Sequence, residues 1–372
     1  MTRLLLSIFL AAAAFAADDW PMARGNPAMT GATSVKLPDK PELLWSFKTT
    51  EAIKGAAAIV GGVVYFGGGD KKVYALKLAD GSKLWEFETL DRIESTPLIH
   101  EGVLYIGSND CRLYALDVAT GKQKWAYVTE HNIKAAPIIL NGVVIVGSHD
   151  MKVHGIEATT GKGLWKVETE NFVNAPCSLV GKRLVVGACD GYLYVIDPEK
   201  GEKIGRVPVG TLVDGKAPES AYVAVSAAVK DNIAYVGHYD AEVVAIDSDR
   251  LEVKWRYKNP RTFPFFSAPA LKDERIVVGS RDKRLHCLSA ADGKPLWEFS
   301  TRGQVNSSPV IAGDRVVFGS NDGRIYIVSL ADGKEVWSFE TADSVESSAA
   351  VVDGHFVIGC DDGTLYAFGA KK

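Results

Sequence analysis

Aspartate is the residue whose type and spacing first suggest chemistry in this sequence. It closes a Gly-x-x-Asp tetrad eight times: Gly67–Asp70, Gly107–Asp110, Gly147–Asp150, Gly187–Asp190, Gly237–Asp240, Gly279–Asp282, Gly319–Asp322 and Gly359–Asp362. Carboxylates in glycine-rich turns bind calcium when six to eight oxygens converge. Here they recur once per repeat, which spreads them apart, so they read as turn-formers bonding their own backbone. The seven histidines (His100, His131, His149, His154, His238, His286 and His355) are equally scattered. Zinc needs three or four converging ligands, so the histidines read as residues of exposed turns, and no metal site is expected. Gly67-Gly68-Gly69-Asp70 joins two strand patterns and leads to no helix N-terminus that would receive a phosphate. No Ser-His-Asp set assembles, and no catalytic residue is expected. Cys111, Cys177, Cys189, Cys287 and Cys360 are dispersed, odd in number and without a C-x-x-C pair. They indicate neither haem attachment nor a disulfide framework, although one bridge that spacing does not name remains open.

The elements that position these residues come from a repeat. Trp45, Trp85, Trp125 and Trp165 are spaced by 40, and the series resumes at Trp255, Trp297 and Trp337. The gap from 165 to 255 holds one ordinary repeat and one enlarged by ten residues, with Gly205 where a tryptophan is missing. Each repeat reads as four strands. In the best example these are Ser308–Ala312, Arg315–Gly319, Arg324–Leu330 and Glu335–Glu340, designated A to D. Gly, Asp and Asn between short β-branched and aromatic runs supply the hairpin turns. Eight such units predict an all-β, eight-bladed β-propeller of four-stranded antiparallel blades over residues 41–370. The last unit, from Val345 to Phe368, stops after three strands, while Leu43–Phe47 has none before it. The N-terminal strand is therefore expected to complete the last blade and close the ring, so that deleting residues 41–49 opens it.

Composition sets bounds on function. Charged residues make up 24% of 372, the formal net charge is -4, and both signs are mixed along the chain. No basic stripe is present, so nucleic acid is not an expected partner. Met1–Ala16 carries one positive charge, an apolar stretch and the small-x-small site Ala14-Phe15-Ala16, the pattern of a cleavable signal peptide. The apolar stretch is too short to span a bilayer, and no lipid-anchor cysteine follows it. The expectation is a periplasmic or secreted monomer with no transmembrane segment in its mature form, led by an N-terminal segment at residues 17–40.

The run Ala115–Trp125, Ala-x-Asp-x-x-Thr-Gly-Lys-x-x-Trp in outline, resembles the tryptophan-docking motif of pyrroloquinoline-quinone (PQQ)-like, quinoprotein-type propellers. Trp20-Pro21-Met22-Ala23-Arg24-Gly25-Asn26-Pro27 with Thr30-Gly31 resembles the opening segment of exported members. The resemblance spans residues 20–368. It implies that Trp45, Trp85, Trp125, Trp165, Trp255, Trp297 and Trp337 dock between blades, each indole N–H reaching a backbone carbonyl. It also raises a quinone-dependent dehydrogenase with PQQ and Ca²⁺ in the central funnel. Family enzymes are longer, and many carry an adjacent cysteine pair that this chain lacks. No cofactor is therefore expected, PQQ with Ca²⁺ belonging only to that alternative. The non-enzymatic branch, resembling the outer-membrane assembly propeller, fits better, apart from the missing lipid-anchor cysteine.

Binding is expected where repeats differ. The C–D turns are nearly uniform, whereas the D–A connections vary, and variable loops on a fixed scaffold commonly carry function. The enlarged connection, Val209 to Val225, and its neighbour Pro260–Phe266 are expected to form an aromatic lip, with Asp214, Lys216, Tyr222, Arg261, Phe263 and Phe265 as binding candidates. Lys54, Glu94, Lys134, Asn174, Phe266, Asn306 and Glu346 precede the innermost strands and should ring the mouth of a polar funnel. The expected role is a non-catalytic scaffold for an envelope or secreted protein or an extended peptide. The alternative is the quinone enzyme or a small-ligand sensor.

Overall fold

A computed structural model describes residues 19–371, so the expected signal peptide lies outside the described residues. Seven blades run consecutively along the chain, four antiparallel strands each, at residues 58–88, 98–128, 138–168, 178–208, 228–258, 270–300 and 310–340. The eighth combines Ala350–Val352, His355–Gly359 and Thr364–Gly369 with the N-terminal strand Glu42–Lys48, whose register pairs Trp45 with Ala367 and Phe47 with Leu365. The ring is therefore closed as expected. Strand A of the example blade is shorter than the sequence suggests, Val310–Ala312, the same three-residue length as in blades where alanine precedes it, such as Ala58–Val60 and Ala350–Val352.

Two glycine positions explain the repeat. The glycine of each Gly-x-x-Asp tetrad does not adopt positive φ. It is where the next blade's D–A loop lays a buried anchor: a Cβ on Gly67 would sit 2.2 Å from Ile93, and on Gly107 2.3 Å from Ile133. Positive φ falls instead on the residue after the aspartate, as at Lys71 (69°), Cys111 (68°) and Met151 (64°). The other glycine lies in the C–D turn and receives the preceding blade's tryptophan. Gly81 accepts Trp45, Gly121 accepts Trp85 and Gly161 accepts Trp125, each within 2.7 Å of a hypothetical Cβ. The indole N–H then donates to a carbonyl: Trp45 to Leu78 (2.7 Å), Trp85 to Val118 (2.9 Å), and Trp125, Trp255 and Trp297 to Ala158, Ala290 and Leu330 (3.0 Å each).

The degenerate fourth blade inverts this pair. Gly205 stands in the tryptophan position, and Leu251 stands where the next C–D turn has glycine. Leu251 fills the gap, its Cδ1 2.4 Å from a hypothetical Cβ on Gly205. The carbonyl left without an indole, that of Ser248, takes Arg183 Nη1 at 3.4 Å.

The tetrad aspartates also bind across their own turns. Asp70, Asp110, Asp190, Asp322 and Asp362 each accept the hydroxyl of the tyrosine four residues on, at 2.6–3.2 Å. Histidine replaces tyrosine twice. His154 Nε2 donates to Asp150 Oδ2 (3.0 Å) and His286 Nε2 to Asp282 Oδ2 (3.1 Å). His154, His238 and His286 are thus core residues at 0–1% exposure, which corrects the exposed-turn reading for these three.

Burial opposes ionisation of Asp282, but the His286 hydrogen bond and charge, with Asn259 and Ser280, outweigh it and hold the carboxyl below its usual range. A depressed folded-state pKa contributes stability above the unfolded value of about 4, and loses it as pH falls through the folded value. Asp282→Asn should therefore lower the melting temperature at pH 7 and flatten its decline between pH 5 and 3. A pH series of thermal melts on both proteins reads this directly.

Candidate funnel and loop-face site

The eight D–A loops share one end of the ring with the B–C turns. Each ends in an apolar anchor buried on a tetrad glycine. The anchors are Ile53, Ile93, Ile133, Val173, Val223, Phe265, Val305 and Val345, all at 0–1% exposure. Phe265 therefore belongs to the core, lying over Gly237 and 5.2 Å from the His286 ring, and not to an exposed lip. Of the residues that follow these anchors, Lys54, Glu94, Phe266, Asn306 and Glu346 line the central cup, while Lys134 pairs with Glu94 and Asn174 bonds His149 outside that lining. The fifth-blade residue at this position is Ala224, hidden in the sequence by the enlarged loop.

One arc of the mouth is a charged network. Lys54 Nζ pairs with Glu346 (2.9 Å) and Asp361 (3.5 Å), and Lys134 with Glu94 (2.9 Å). Glu346 also accepts the amides of Asn306 and Asn321, both at 3.1 Å, and Glu94 that of Asn109 at 3.2 Å. Burial opposes its ionisation, yet these donors hold the Glu346 carboxyl below its ordinary range. Burial pushes Asp361 up, with Lys54 pulling the other way and Glu346 adding to the rise.

The opposite arc is aromatic. Tyr222 stacks on Tyr239 (centroids 4.3 Å apart), and Tyr239 meets Phe266 edge-on at 6.3 Å. Arg281 lies over Phe266 at 4.1 Å and donates to the Tyr239 hydroxyl at 3.2 Å. Its Nε donates to Asn306 at 3.2 Å, and no carboxylate among the described residues pairs with it. A second stack, His149 on Phe172 at 4.8 Å with His131 beside it at 5.7 Å, continues the arc through the third and fourth blades.

The remaining loop candidates lie outside this arc. Asp214 and Gly215, both at positive φ, turn a small exposed hairpin closed by reciprocal Val213 and Lys216 backbone bonds. Arg261 reaches outward to Asp282 (3.5 Å) and Glu298 (3.3 Å), and Phe263 is exposed beside it. Of the six loop candidates, only Tyr222 joins the funnel mouth. Tyr239 and Arg281, on B–C turns, were missed because single turn residues carry no periodic signal.

The other end of the channel is occupied by the chain's own N-terminal segment. Its backbone pairs with the free inner edges of strand A in six blades. Trp20 bonds reciprocally with Ile59, and the carbonyls of Pro21, Pro27, Ala28, Thr30 and Gly31 accept from Ile99, Leu179, Val229, Leu271 and Ile311 at 2.7–2.9 Å. What remains above it is a cup of about 230 Å³ opening at the mouth, below the roughly 300–1,000 Å³ usual for small-molecule sites. The family's quinone and calcium find a poor donor set here, because the carboxylates at the mouth are already committed to lysine and asparagine. Among the described residues no group of three or more His, Cys, Asp and Glu could hold a metal ion. No helix among them is long and apolar enough to cross a membrane.

Several solved structures share this architecture. BamB from Moraxella catarrhalis superposes with TM-score 0.76 at 18% identity, over 89% of this chain and 100% of that one. The quinohemoprotein alcohol dehydrogenase from Comamonas testosteroni gives 0.79 at 14% identity, over 95% and 81%. A europium-containing methanol dehydrogenase gives 0.77 at 15%, over 95% and 98%. At these identities the likeness is one of fold. No curated protein matches the sequence as a relative. The family model for outer membrane protein assembly factor BamB, a PQQ-like repeat family, matches in four overlapping segments, residues 33–172, 130–263, 189–282 and 262–372. The chain belongs to that BamB-type family of PQQ-like propellers.

Proposed function

We infer that the chain is a non-catalytic scaffold of the cell envelope that offers its loop face to a protein or extended peptide engaged in outer-membrane protein assembly. The observation that carries this reading is the stacked set Tyr222, Tyr239, Phe266 and Arg281 at the rim of a funnel closed from below. Rigid aromatics with an unpaired arginine are the composition of interface hot spots. The family description supports a place in outer-membrane assembly. A closed ring buries its own core, which supports action as a monomer.

The test is affinity capture of the outer-membrane assembly complex purified from the same envelope. Tyr239→Ala with Arg281→Ala should weaken capture at least about tenfold, the size of one hot-spot loss, while leaving the melting temperature nearly unchanged. Undiminished capture would move the interface elsewhere. The second reading, a quinone-dependent dehydrogenase or small-ligand sensor, draws its support from the fold shared with the two dehydrogenases.

A further inference from the structure

Arg24 is a charge without a counterion inside the ring. It is 6% exposed, sits at positive φ (59°) and extends from the N-terminal segment toward the cup. Its guanidinium donates only to neutral carbonyls: Pro309 at 2.7 Å, Pro269 at 3.0 Å and Ser308 at 3.2 Å. Nε has no partner, and one Nη1 hydrogen is unused. Gly31 is required beneath it, since a Cβ there would lie 2.0 Å from Nη2. Burial pushes the guanidinium down to about 9 with no offsetting carboxylate. By contrast, Glu94 and Glu346, which line the same cup, are taken by Lys134 and Lys54 at its mouth.

The walls around Arg24 also donate. Thr96 accepts the Ala56 N–H (3.1 Å), Ser308 that of Ala268 (3.0 Å) and Ser348 that of Ser308 (3.3 Å). A hydroxyl whose lone pair takes a backbone N–H retains its proton to donate. These three residues line the cup with Arg24. A buried cation in a cup that hydroxyl donors also line is a site for an anion, because a buried charge is costly until paired. One unit of uncompensated charge matches a carboxylate better than a phosphate dianion, and the Nε hydrogen and the second Nη1 hydrogen are the donors left for single bonds to it.

We propose that the base of the funnel is a carboxylate-binding site in which Arg24 holds the anion and the hydroxyls of Thr96, Ser308 and Ser348 complete the donor set. The carboxylate comes either from a small free acid or from the C-terminal end of a peptide inserted into the funnel. The site stands independently of the scaffold reading, which can fail at the loop face while the cup still binds.

The test is saturation-transfer NMR on the protein from residue 17 onward at low salt. Butyrate and the tripeptide Gly-Gly-Ala are the probes, with butyramide and the C-terminally amidated tripeptide as neutral controls. The expected result is a saturable signal for a carboxylate probe and none for its amide. Butyrate alone would identify the free acid as the source, and the tripeptide the peptide end. Arg24→Gln should weaken binding at least about tenfold, the size of a lost charge-assisted bond. Because that change also removes three structural bonds, Ser348→Leu provides a second variant, filling the cup while leaving Arg24 in place, and should weaken binding equally. Equal signals from acids and amides, binding unchanged in Ser348→Leu, or no binding at all would overturn the proposal and leave Arg24 as a structural latch.

Discussion

Replacing Glu42–Lys48 by a Gly/Ser linker of equal length should abolish the single cooperative unfolding transition. That strand supplies the whole outer edge of the eighth blade, and no other segment among the described residues closes the ring. Two of its side chains hold neighbouring blades together. Trp45 docks over Gly81 with its N–H on Leu78, and Phe47 lies 5.4 Å from Tyr74 and 6.2 Å from Phe66. Truncating a fully buried large aromatic costs about 3–5 kcal/mol. Trp45 and Phe47 are half-buried and cost less each, but the lost ladder adds to them against a total stability of about 5–15 kcal/mol for a typical protein. The lost ladder also exposes Thr364–Gly369 as an unpaired edge, which invites association between chains. Calorimetry should show a broad or absent transition, and size exclusion should show aggregates. Trp45→Ala alone should retain a closed ring with a single, lower transition. A linker variant that melts cooperatively near the native temperature would show that closure adds little.

The second large effect is the inverted pair in the fourth and fifth blades. Gly205→Trp alone drives an indole into Leu251, whose Cδ1 already stands 2.4 Å from the first added carbon. Overpacking of that kind costs about 1–3 kcal/mol and often more. Leu251→Gly alone leaves a gap beside Gly205. The double variant recreates the arrangement of Trp85 on Gly121, and its stability should exceed the sum of the single effects by about 2–3 kcal/mol. The Ser248 carbonyl is there to receive the indole N–H if Arg183 gives way. Denaturant melts of the four proteins measure the coupling. Simple additivity would mean that Gly205 and Leu251 are independent.

That pair also shows what was legible beforehand. Gly205 was readable as a missing tryptophan, because a period of 40 makes any gap visible. Its compensation was not, since Leu251 lies 46 residues on and no local pattern links it to Gly205. Blade number, strand order and ring closure followed from periodicity. The reason for the tetrad glycine did not, because a close approach from the next blade involves residues 26 positions away, such as Gly67 and Ile93. Phe265 reads from the sequence as a lip residue, yet it is buried beside Phe266, which lines the cup. Its place one residue before Phe266 puts it in the Ile53, Ile93 and Ile133 column, which is core. Arg24 belongs to a recognisable opening segment, yet only the closed ring shows that this segment lies inside the channel. Tyr239 and Arg281 gain meaning only from neighbours on other blades.

We infer that this propeller binds a partner and carries out no quinone chemistry. Calorimetric titration of the protein from residue 17 onward with PQQ, with and without Ca²⁺, tests this most directly. No binding heat and no shift in melting temperature are expected under either condition, since the mouth carboxylates are engaged by Lys54, Lys134 and the asparagines. Calcium-dependent binding at micromolar concentration or tighter would contradict this inference and make dehydrogenase activity the first property to measure.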